Sequence, residues 1–267
     1  MRKIRKFSRY WSARFKFSPN LPFYWHIGSP NFGDDLNPML FGLITGTQVR
    51  LERRRDRPHF LGMGSLLDRA CAGSTIVGSG LLKPFPKPHA DFHDVISVRG
   101  ALSREQLIGA EAALLGDPMV LLDQLVSFRC EKSGPIGFIP HFSELKKAKG
   151  LGLAGVKIIN PAVSPWRVIR EIAGCSKVFS QSLHGLIVAD SLGVPNQWVT
   201  PGNHMIGGRF KFNDYFSTLD SPKEARPFER ATFMDSDSNR FSIGKFIHDK
   251  RQLLDATRSA LSFQRSS

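Results

Sequence analysis

The sequence of 267 residues predicts an α/β protein built on parallel sheets. Three observations support this fold class. Short apolar runs alternate with helix-like segments along most of the chain, which is the order that strand–helix–strand units produce. Several of these runs end in turns of small or polar residues that lead into a helix start. The composition, with 41% hydrophobic and 22% charged residues, is that of an ordinary soluble globular protein.

Taken in chain order, the elements fall into two blocks. The predicted strands are Phe23–Ile27, His59–Leu61, Thr75–Val77, Val95–Val98, Ile136–Ile139, Lys157–Ile159 and Lys177–Phe179. The predicted helices are Leu36–Leu43, Ala101–Leu107, Trp166–Ala173, Gly185–Leu192 and Ile243–Phe263.

A polar stretch at Glu131–Gly134 separates the two blocks, so we predict two Rossmann-like halves with a cleft between them. The expected parts are a basic segment at residues 1–20, a first domain at 21–132, and a second domain at 133–267 that includes the C-terminal helix. Residues 201–240 are rich in Gly, Asn, Asp, Pro and Ser, which predicts loops.

The net charge of +14 predicts an anionic partner. No acidic residue precedes Asp34, whereas the basic residues before it are Arg2, Lys3, Arg5, Lys6, Arg9, Arg14 and Lys16. Ile4, Phe7, Trp11 and Phe15 fall on one helical face, so this segment predicts a basic helix on an anionic membrane surface. A frayed basic tail is the alternative. We expect no nucleic acid partner, because neither a zinc finger nor an RNA-binding aromatic motif is present.

Cysteine use and hydropathy predict a cytoplasmic protein. Cys71, Cys130 and Cys175 are scattered without metal-type spacing, which fits buried thiols in a reducing compartment. No apolar run is long enough to span a membrane, and the first residues lack the apolar core of a signal peptide. Prolines before His89 and His93 argue against a helix that would align these two side chains, so we expect no metal site.

The turn at residues 27–39 is the most informative stretch of the sequence. An apolar strand leads into I-G-S-P-N-F-G-D-D-L-N-P-M, a strand–loop–helix junction of the kind that binds anionic ligands in α/β proteins. Asn31 and Gly33 bring an amide and backbone donors, and the paired acids Asp34 and Asp35 bring proton-transfer groups. Helix capping is the alternative role for the acids, and one can cap while the other acts on substrate.

Two further strand ends in the first half carry candidate ligand groups. Gly64 and Ser65 follow the second predicted strand in a tight turn whose glycines admit a ligand close to the backbone. As a dinucleotide motif this turn is incomplete. Arg99 ends the fourth predicted strand and would point into the cleft, where a guanidinium suits a carboxylate or phosphate. The alternative is that Arg99 pairs with a structural acid such as Asp94 or Asp117.

The second half carries matching strand ends. Ser180 and Ser182 follow the last predicted strand, and His184 precedes an apolar helix. From that position an imidazole can donate to an anion or transfer a proton, although a structural histidine is the alternative. His141 follows the first strand of this half and is also expected to face the cleft.

Together these motifs resemble the polysaccharide pyruvyl transferase family. The matching pieces, in the family's order, are residues 31–38, 61–65, 98–105, 116–118 and 180–189 with its Leu-His-Gly core. Residues 209–215 also resemble the short exopolysaccharide members of the succinoglycan type. The resemblance implies a glycosyltransferase-B-like fold and transfer of a pyruvyl group from phosphoenolpyruvate, the donor substrate, to two sugar hydroxyls as a cyclic ketal; no separate cofactor is expected. The acceptor would be a lipid-linked oligosaccharide, reached by a protein peripheral to the inner membrane face.

Family members hold phosphoenolpyruvate with arginine and histidine side chains, and the matching positions here are Arg99 and His184. Many members have an arginine where this chain has Ser182. The resemblance therefore implies that a phosphate-binding arginine is missing at that position, and Arg209, Lys211 or another base is expected to replace it.

The chemistry requires an acid and a base. We expect His184 to be the acid or a phosphate-stabilising cation, and Asp34 or Asp35 to be the base. Two other functions remain open: a sugar-nucleotide-dependent glycosyltransferase of the same fold, and a non-catalytic scaffold of polysaccharide assembly.

Overall fold

The structure is a computed structural model and describes residues 20–128, 130–131, 133–200, 207–235 and 237–263. It confirms the α/β class, because these residues form two sheets of parallel strands connected through helices. Within these ranges, no helix has the length and apolar character needed to cross a bilayer. The predicted basic helix around residues 4–15 lies outside the described residues.

The first sheet has six strands in the order β2-β1-β3-β4-β5-β6, and every neighbouring pair is parallel. The strands are β1 Asn20–Tyr24, β2 Gln48–Leu51, β3 His59–Leu61, β4 Ser74–Ser79, β5 Asp94–Val98 and β6 Leu114–Leu115. The buried ring of Phe23 lies 4.4 Å from that of Phe41 and 5.1 Å from that of Phe60, centroid to centroid. Because the strands share one direction, the turns after them meet at one edge of the sheet.

The second sheet has four parallel strands in the order β10-β9-β7-β8. They are β7 Ile136–Ile139, β8 Val156–Ile158, β9 Lys177–Ser180 and β10 Asn196–Trp198. Phe138 and Phe179 from this sheet pack on Phe233, with ring centroids 4.6 and 4.9 Å away. This aromatic cluster fixes the strands whose carboxyl ends carry the second set of candidate residues.

The helices, in order, are α1 Phe32–Asp35, α2 Asn37–Thr45, α3 Ala101–Arg104, α4 Leu122–Leu125, α5 Leu145–Gly150, α6 Pro165–Ala173, α7 Leu183–Ser191, α8 Phe210–Phe216, α9 Arg230–Met234 and α10 Lys250–Phe263. Short 3-10 turns occupy Leu67–Arg69, Pro118–Leu121, Phe142–Glu144 and Ser238–Arg240. Both α2 and α6 have proline in the first turn, where its missing N–H has no intrahelical partner to lose.

Several elements differ from the sequence-based prediction. Strands β2, β6 and β10 were not predicted, because β6 has two residues and the other two mix polar with apolar side chains. The prediction of loops throughout 201–240 is wrong at α8 and α9. The C-terminal helix begins at Lys250 rather than Ile243.

The described chain forms two compact units. The first comprises residues 20–118, 207–218 and 247–263, and the second comprises 119–200 and 219–246. Helices α8 and α10 therefore belong with the first sheet; for example, Arg258 Nε in α10 donates to the Ile44 carbonyl at 3.0 Å. The sequence-based division differs, because it placed the boundary at 132–133 and both helices in the second domain. Local composition does not show that a later segment of the chain packs on the first sheet.

Candidate active site

The carboxyl edge of the first sheet collects candidate residues that are distant in the sequence. Strands β1, β3, β4 and β5 are neighbours in the sheet, and the turns after them contain Asn31–Asp35, Gly64–Ser65, Leu81 and Arg99. Helix α8 adds Lys211 and Asp214 to the same group through the contacts described below. This edge therefore brings together a carboxylate, hydroxyl groups and cations.

The two neighbouring acids after β1 have different surroundings. Asn31 caps α1, its Oδ1 accepting from Gly33 N at 3.3 Å, and Asp35 Oδ2 accepts from Asn31 N at 3.3 Å. Asp35 thus completes the cap by accepting from the N–H of the N-cap residue, one position later than in the usual capping box. Asp34 Oδ2 instead accepts from Asn31 Nδ2 at 3.0 Å, and Asp34 Oδ1 lies beside Gly64, 3.4 Å from where a Cβ would be. Asp34 is therefore the acid placed against the neighbouring strand's turn.

Asn37 joins the turn after β1 to the turn after β3. Its fully buried amide accepts from Met63 N at 2.7 Å and donates to Met63 O at 3.1 Å and to Asp34 O at 3.0 Å. The Asn37 side chain therefore pairs with both the N–H and the carbonyl of Met63, as a neighbouring strand would. The main chain at Gly64 has φ of 116°, a conformation that favours glycine. The two sequence motifs are therefore one hydrogen-bonded structure.

Arg99 is completely buried in an ion pair with Asp214, and both side chains are 0% exposed. Arg99 Nε and Nη2 each lie 2.8 Å from Asp214 Oδ2. Nη2 also donates to the Leu81 carbonyl at 2.5 Å, and Nη1 donates to Ser65 Oγ at 2.9 Å. The guanidinium has a counter-charge and several acceptors, as a buried cation requires. The structural acid is Asp214, which the sequence did not indicate.

Asp214 also anchors the start of α3. Its Oδ1 accepts from Ser103 N at 2.7 Å, and its Oδ2 accepts from Ser103 Oγ at 2.6 Å. A Cβ at Gly100 would overlap the Asp214 carbonyl oxygen, so the turn after β5 passes α8 at a distance that only glycine allows. The ion pair thus fixes β5, α3 and α8 together.

Ser65 connects this buried pair to the edge of the sheet. Its side chain is half-buried, and its hydroxyl oxygen accepts from Arg99. Because the guanidinium can only donate, the Ser65 hydrogen points elsewhere and can donate to a ligand. Arg99 therefore orients the Ser65 hydroxyl.

Lys211 is the cation of α8 closest to this group, one turn before Asp214. Burial and then the positive charge of Arg99 lower the pKa of Lys211 to about 8, and the Asp34 carboxylate acts against the shift. Both charges therefore lie near the Lys211 ammonium. At neutral pH this ammonium is charged, whereas slightly alkaline pH makes it a base.

The carboxyl edge of the second sheet presents the start of α7. Ser182 is the N-cap, with its Oγ accepting from Gly185 N at 3.3 Å. Ser180 Oγ accepts from Ser182 N at 3.1 Å and donates to Ser182 O at 2.8 Å. His184 lies in the first turn of α7 and is half-buried. The two serines shape this turn, and the helix N-terminus favours an anion there.

Gln181 links the ends of three of the four strands of the second sheet, β7, β9 and β10. Its side chain is 0% exposed, accepts from His141 N at 3.1 Å and donates to the Thr200 carbonyl at 3.1 Å. His141 Nδ1 lies 2.7 Å from Ser143 Oγ, which fixes the ring. His141 and His184 therefore follow adjacent strands, β7 and β9, at the same edge.

Comparison with known sequences supports the family resemblance of these motifs. A sequence model described as polysaccharide pyruvyl transferase matches residues 70–203, about half of the chain. The chain belongs to the polysaccharide pyruvyl transferase family. It is 31% identical over 215 residues to "Succinoglycan biosynthesis protein ExoV" of Rhizobium meliloti (strain 1021), a match covering 74% of this chain and 64% of the relative. It is 27% identical over 211 residues to "Uncharacterized protein L143" of Acanthamoeba polyphaga mimivirus, covering 73% of each chain.

In this pyruvyl transferase family member, the predicted residues form two groups. The first unit holds Asn31, Gly33, Asp34, Asp35, Gly64, Ser65, Arg99, Arg209 and Lys211, and the second holds His141, Ser180, Ser182 and His184. Arg209 is exposed at the start of α8. Sequence reasoning missed the roles of Asn37, Asp214 and Gln181. All three residues lie inside motifs named above, at residues 31–38, 209–215 and 180–189, but no local pattern indicated their buried hydrogen bonds.

Proposed function

We propose that the protein transfers a pyruvyl group from phosphoenolpyruvate to a sugar of a lipid-linked exopolysaccharide precursor, forming a cyclic ketal. Membership of the polysaccharide pyruvyl transferase family supports a transferase acting on polysaccharide. The similarity to a protein named for succinoglycan biosynthesis supports a role in exopolysaccharide assembly. The glycosyltransferase-B-like arrangement and the location at the inner membrane face stay predictions.

The observation that carries the proposal lies at the carboxyl edge of the first sheet. There the charges of Arg99 and Asp34 both act on Lys211, and Arg99 donates to Ser65. Phosphoenolpyruvate bears a carboxylate and a phosphate, which need cations and hydrogen-bond donors. Arg99 is occupied by Asp214, so we assign it to orienting Ser65. Lys211 then supplies the positive charge of the phosphate-binding arginine that the resemblance implies is missing at Ser182.

The proposed reaction balances when one proton is added to the donor and one is lost from each of two sugar hydroxyls. A proton adds to the methylene carbon of phosphoenolpyruvate and makes the carbon that bears the phosphate electrophilic. One sugar hydroxyl forms a bond to that carbon and loses its proton. The phosphate then leaves with the electron pair of its C–O bond, and the second hydroxyl closes the ring and loses its proton. Of the two hydroxyl protons, one balances the new methyl group and the other leaves with phosphate.

We assign the proton transfers to His184 and Asp34. The imidazole of His184, at the start of α7, suits an acid or a cation that stabilises the leaving phosphate. Asp34 suits the base that accepts a proton from the sugar hydroxyl. Asp35 is the capping acid, so its removal should affect folding of the turn more than chemistry.

The test is incubation with phosphoenolpyruvate and a lipid-linked oligosaccharide, read by phosphate release and by the mass of the product. We expect His184→Gln and Asp34→Asn to lower turnover by about 100-fold or more, the usual contribution of a general acid or base. His93→Gln, at an exposed histidine, is the matched control and should keep full turnover. Wild-type phosphate release by His184→Gln would remove His184 from the mechanism.

A second measurement separates the proposal from the glycosyltransferase alternative. Phosphoenolpyruvate should raise the melting temperature, because a ligand that binds only the folded state stabilises it. Stabilisation by UDP-sugars with no response to phosphoenolpyruvate would contradict the proposed donor.

A further inference from the structure

The most concentrated positive charge in the described chain lies on a short turn between β2 and β3. Residues 53–57 read Arg-Arg-Arg-Asp-Arg, and all five are exposed. We call residues 53–57 the arginine turn. It is separate in sequence from the basic residues near the N-terminus and contains none of the residues assigned to the reaction.

Buried polar groups hold the main chain of the arginine turn in place. Glu52, 4% exposed, accepts from Arg53 N and Arg54 N, both at 3.0 Å. At the other end, His59 Nδ1 lies 2.9 Å from the Arg57 carbonyl. Three of the turn's backbone groups are therefore fixed by two residues that the fold buries. The arginines are presented on an ordered support, so binding through them does not require ordering of the backbone.

The surrounding charges leave a clear positive excess. Arg55 Nη2 donates to the Ala70 carbonyl at 3.0 Å, which brings Arg69 beside the turn. The four arginines of the turn and Arg69 carry +5, and Asp56 and Asp68, each paired with an arginine, carry −2, which leaves +3. Glu52 and Arg50 cancel each other in a 2.8 Å ion pair.

We propose that the arginine turn docks the protein on an anionic lipid bilayer. Guanidinium groups bind phosphate oxygens in bidentate geometry, and clusters of four to eight basic residues are the usual signature of binding to anionic lipid. The large apolar side chains that are exposed in the described chain, Leu43 and Ile108 among them, all lie outside residues 50–70. The contact is therefore electrostatic, so it is reversible and sensitive to salt. It requires neither pyruvyl transfer nor any assigned site residue.

The test is co-sedimentation of the full chain with vesicles of one part phosphatidylglycerol to two parts phosphatidylcholine. The variant Arg53→Gln/Arg54→Gln/Arg57→Gln should bind these vesicles more weakly, by up to about fivefold per arginine removed at low salt. Vesicle binding by this variant should also depend less steeply on salt concentration than binding by the wild type. The wild type and both variants all contain the N-terminal segment, so its contribution to vesicle binding is the same in each.

The matched control is Lys83→Gln/Lys87→Gln/Arg251→Gln, which removes three exposed charges from the same unit outside the turn. It should bind nearly as well as the wild type, and circular dichroism should show both variants folded. Equal loss in the two variants would mean that net charge alone governs binding, and would overturn the proposal. Unchanged vesicle binding by the turn variant, with weakened binding to a short DNA duplex, would assign the turn to nucleic acid and also overturn it.

Discussion

Replacement of Asp214 by asparagine tests whether the buried ion pair holds the first unit together. The substitution keeps the size of the side chain but removes the negative charge beside Arg99, whose guanidinium is 0% exposed. It also places an amide where Asp214 accepts from Ser103 N and Ser103 Oγ, so a donor now faces donors. Removing one partner of a buried pair costs about 3–5 kcal/mol, because the other charge stays buried without compensation.

That loss is measurable by urea unfolding. With a urea dependence of about 2 kcal/mol per molar, the midpoint of the transition that includes the first unit should fall by roughly 2 M. Since native domains are stable by only about 5–15 kcal/mol, Asp214→Asn should remove a substantial part of the free energy of unfolding of this unit.

Two further variants make the Asp214 test specific. Asp255→Asn removes an exposed carboxylate from the same unit, 3.9 Å from Arg251, and should cost about 1 kcal/mol or less. The double variant Arg99→Met/Asp214→Leu removes both buried charges and should lose less than the sum of the single changes. If Asp214→Asn costs no more than Asp255→Asn, the ion pair does not stabilise the fold as argued.

Asn37, Lys211 and Cys175 provide three other predictions. Asn37→Leu should destabilise the protein by about 2–4 kcal/mol in urea, because Met63 N and O lose their partner; an unchanged midpoint would contradict the bridge. The wild type should gain stability as pH rises from about 8 towards 10.5, since the lowered pKa of Lys211 means that the unfolded chain binds the extra proton in this range. Lys211→Met should abolish this rise in stability with pH, increase the free energy of unfolding at pH 7 by about 1–3 kcal/mol and lower turnover. If the variant kept the pH dependence of stability, Lys211 would be excluded as the group responsible. Burial raises the pKa of Cys175 to about 11, so iodoacetamide at pH 8 should leave it unmodified in the native protein, as mass spectrometry of peptides would show.

The sequence predicted those features that local patterns determine. Strands β3, β5 and β9 have short apolar cores and turn residues at their ends, and the structure confirms that the parallel strands of each sheet bring such turns to one edge of that sheet. Capping also follows local rules, and the structure separates the neighbouring acids, with Asp35 in the cap and Asp34 against Gly64.

The remaining features depend on contacts between distant segments. The Arg99–Asp214 pair joins residues 115 positions apart, so no spacing rule indicates it. Helix α8 has an alternation of aromatic and polar residues without a capping side chain, and its position depends on the buried pair rather than on helix propensity. The sequence suggested a phosphate-binding role for Lys211 only through the family resemblance, because the pKa of Lys211 depends on where α8 lies.

The discontinuous first unit has a consequence for synthesis on the ribosome. A ribosome adds about 5–20 residues per second, so Arg99 is made roughly 6–23 s before the carboxylate that neutralises it. Throughout that interval the first sheet lacks α8 and α10, and burying Arg99 would leave its charge uncompensated. The first unit begins to be synthesised before the second but is completed after it. Nascent chains that end before α8 should therefore depend on chaperones to keep the exposed first sheet from aggregating.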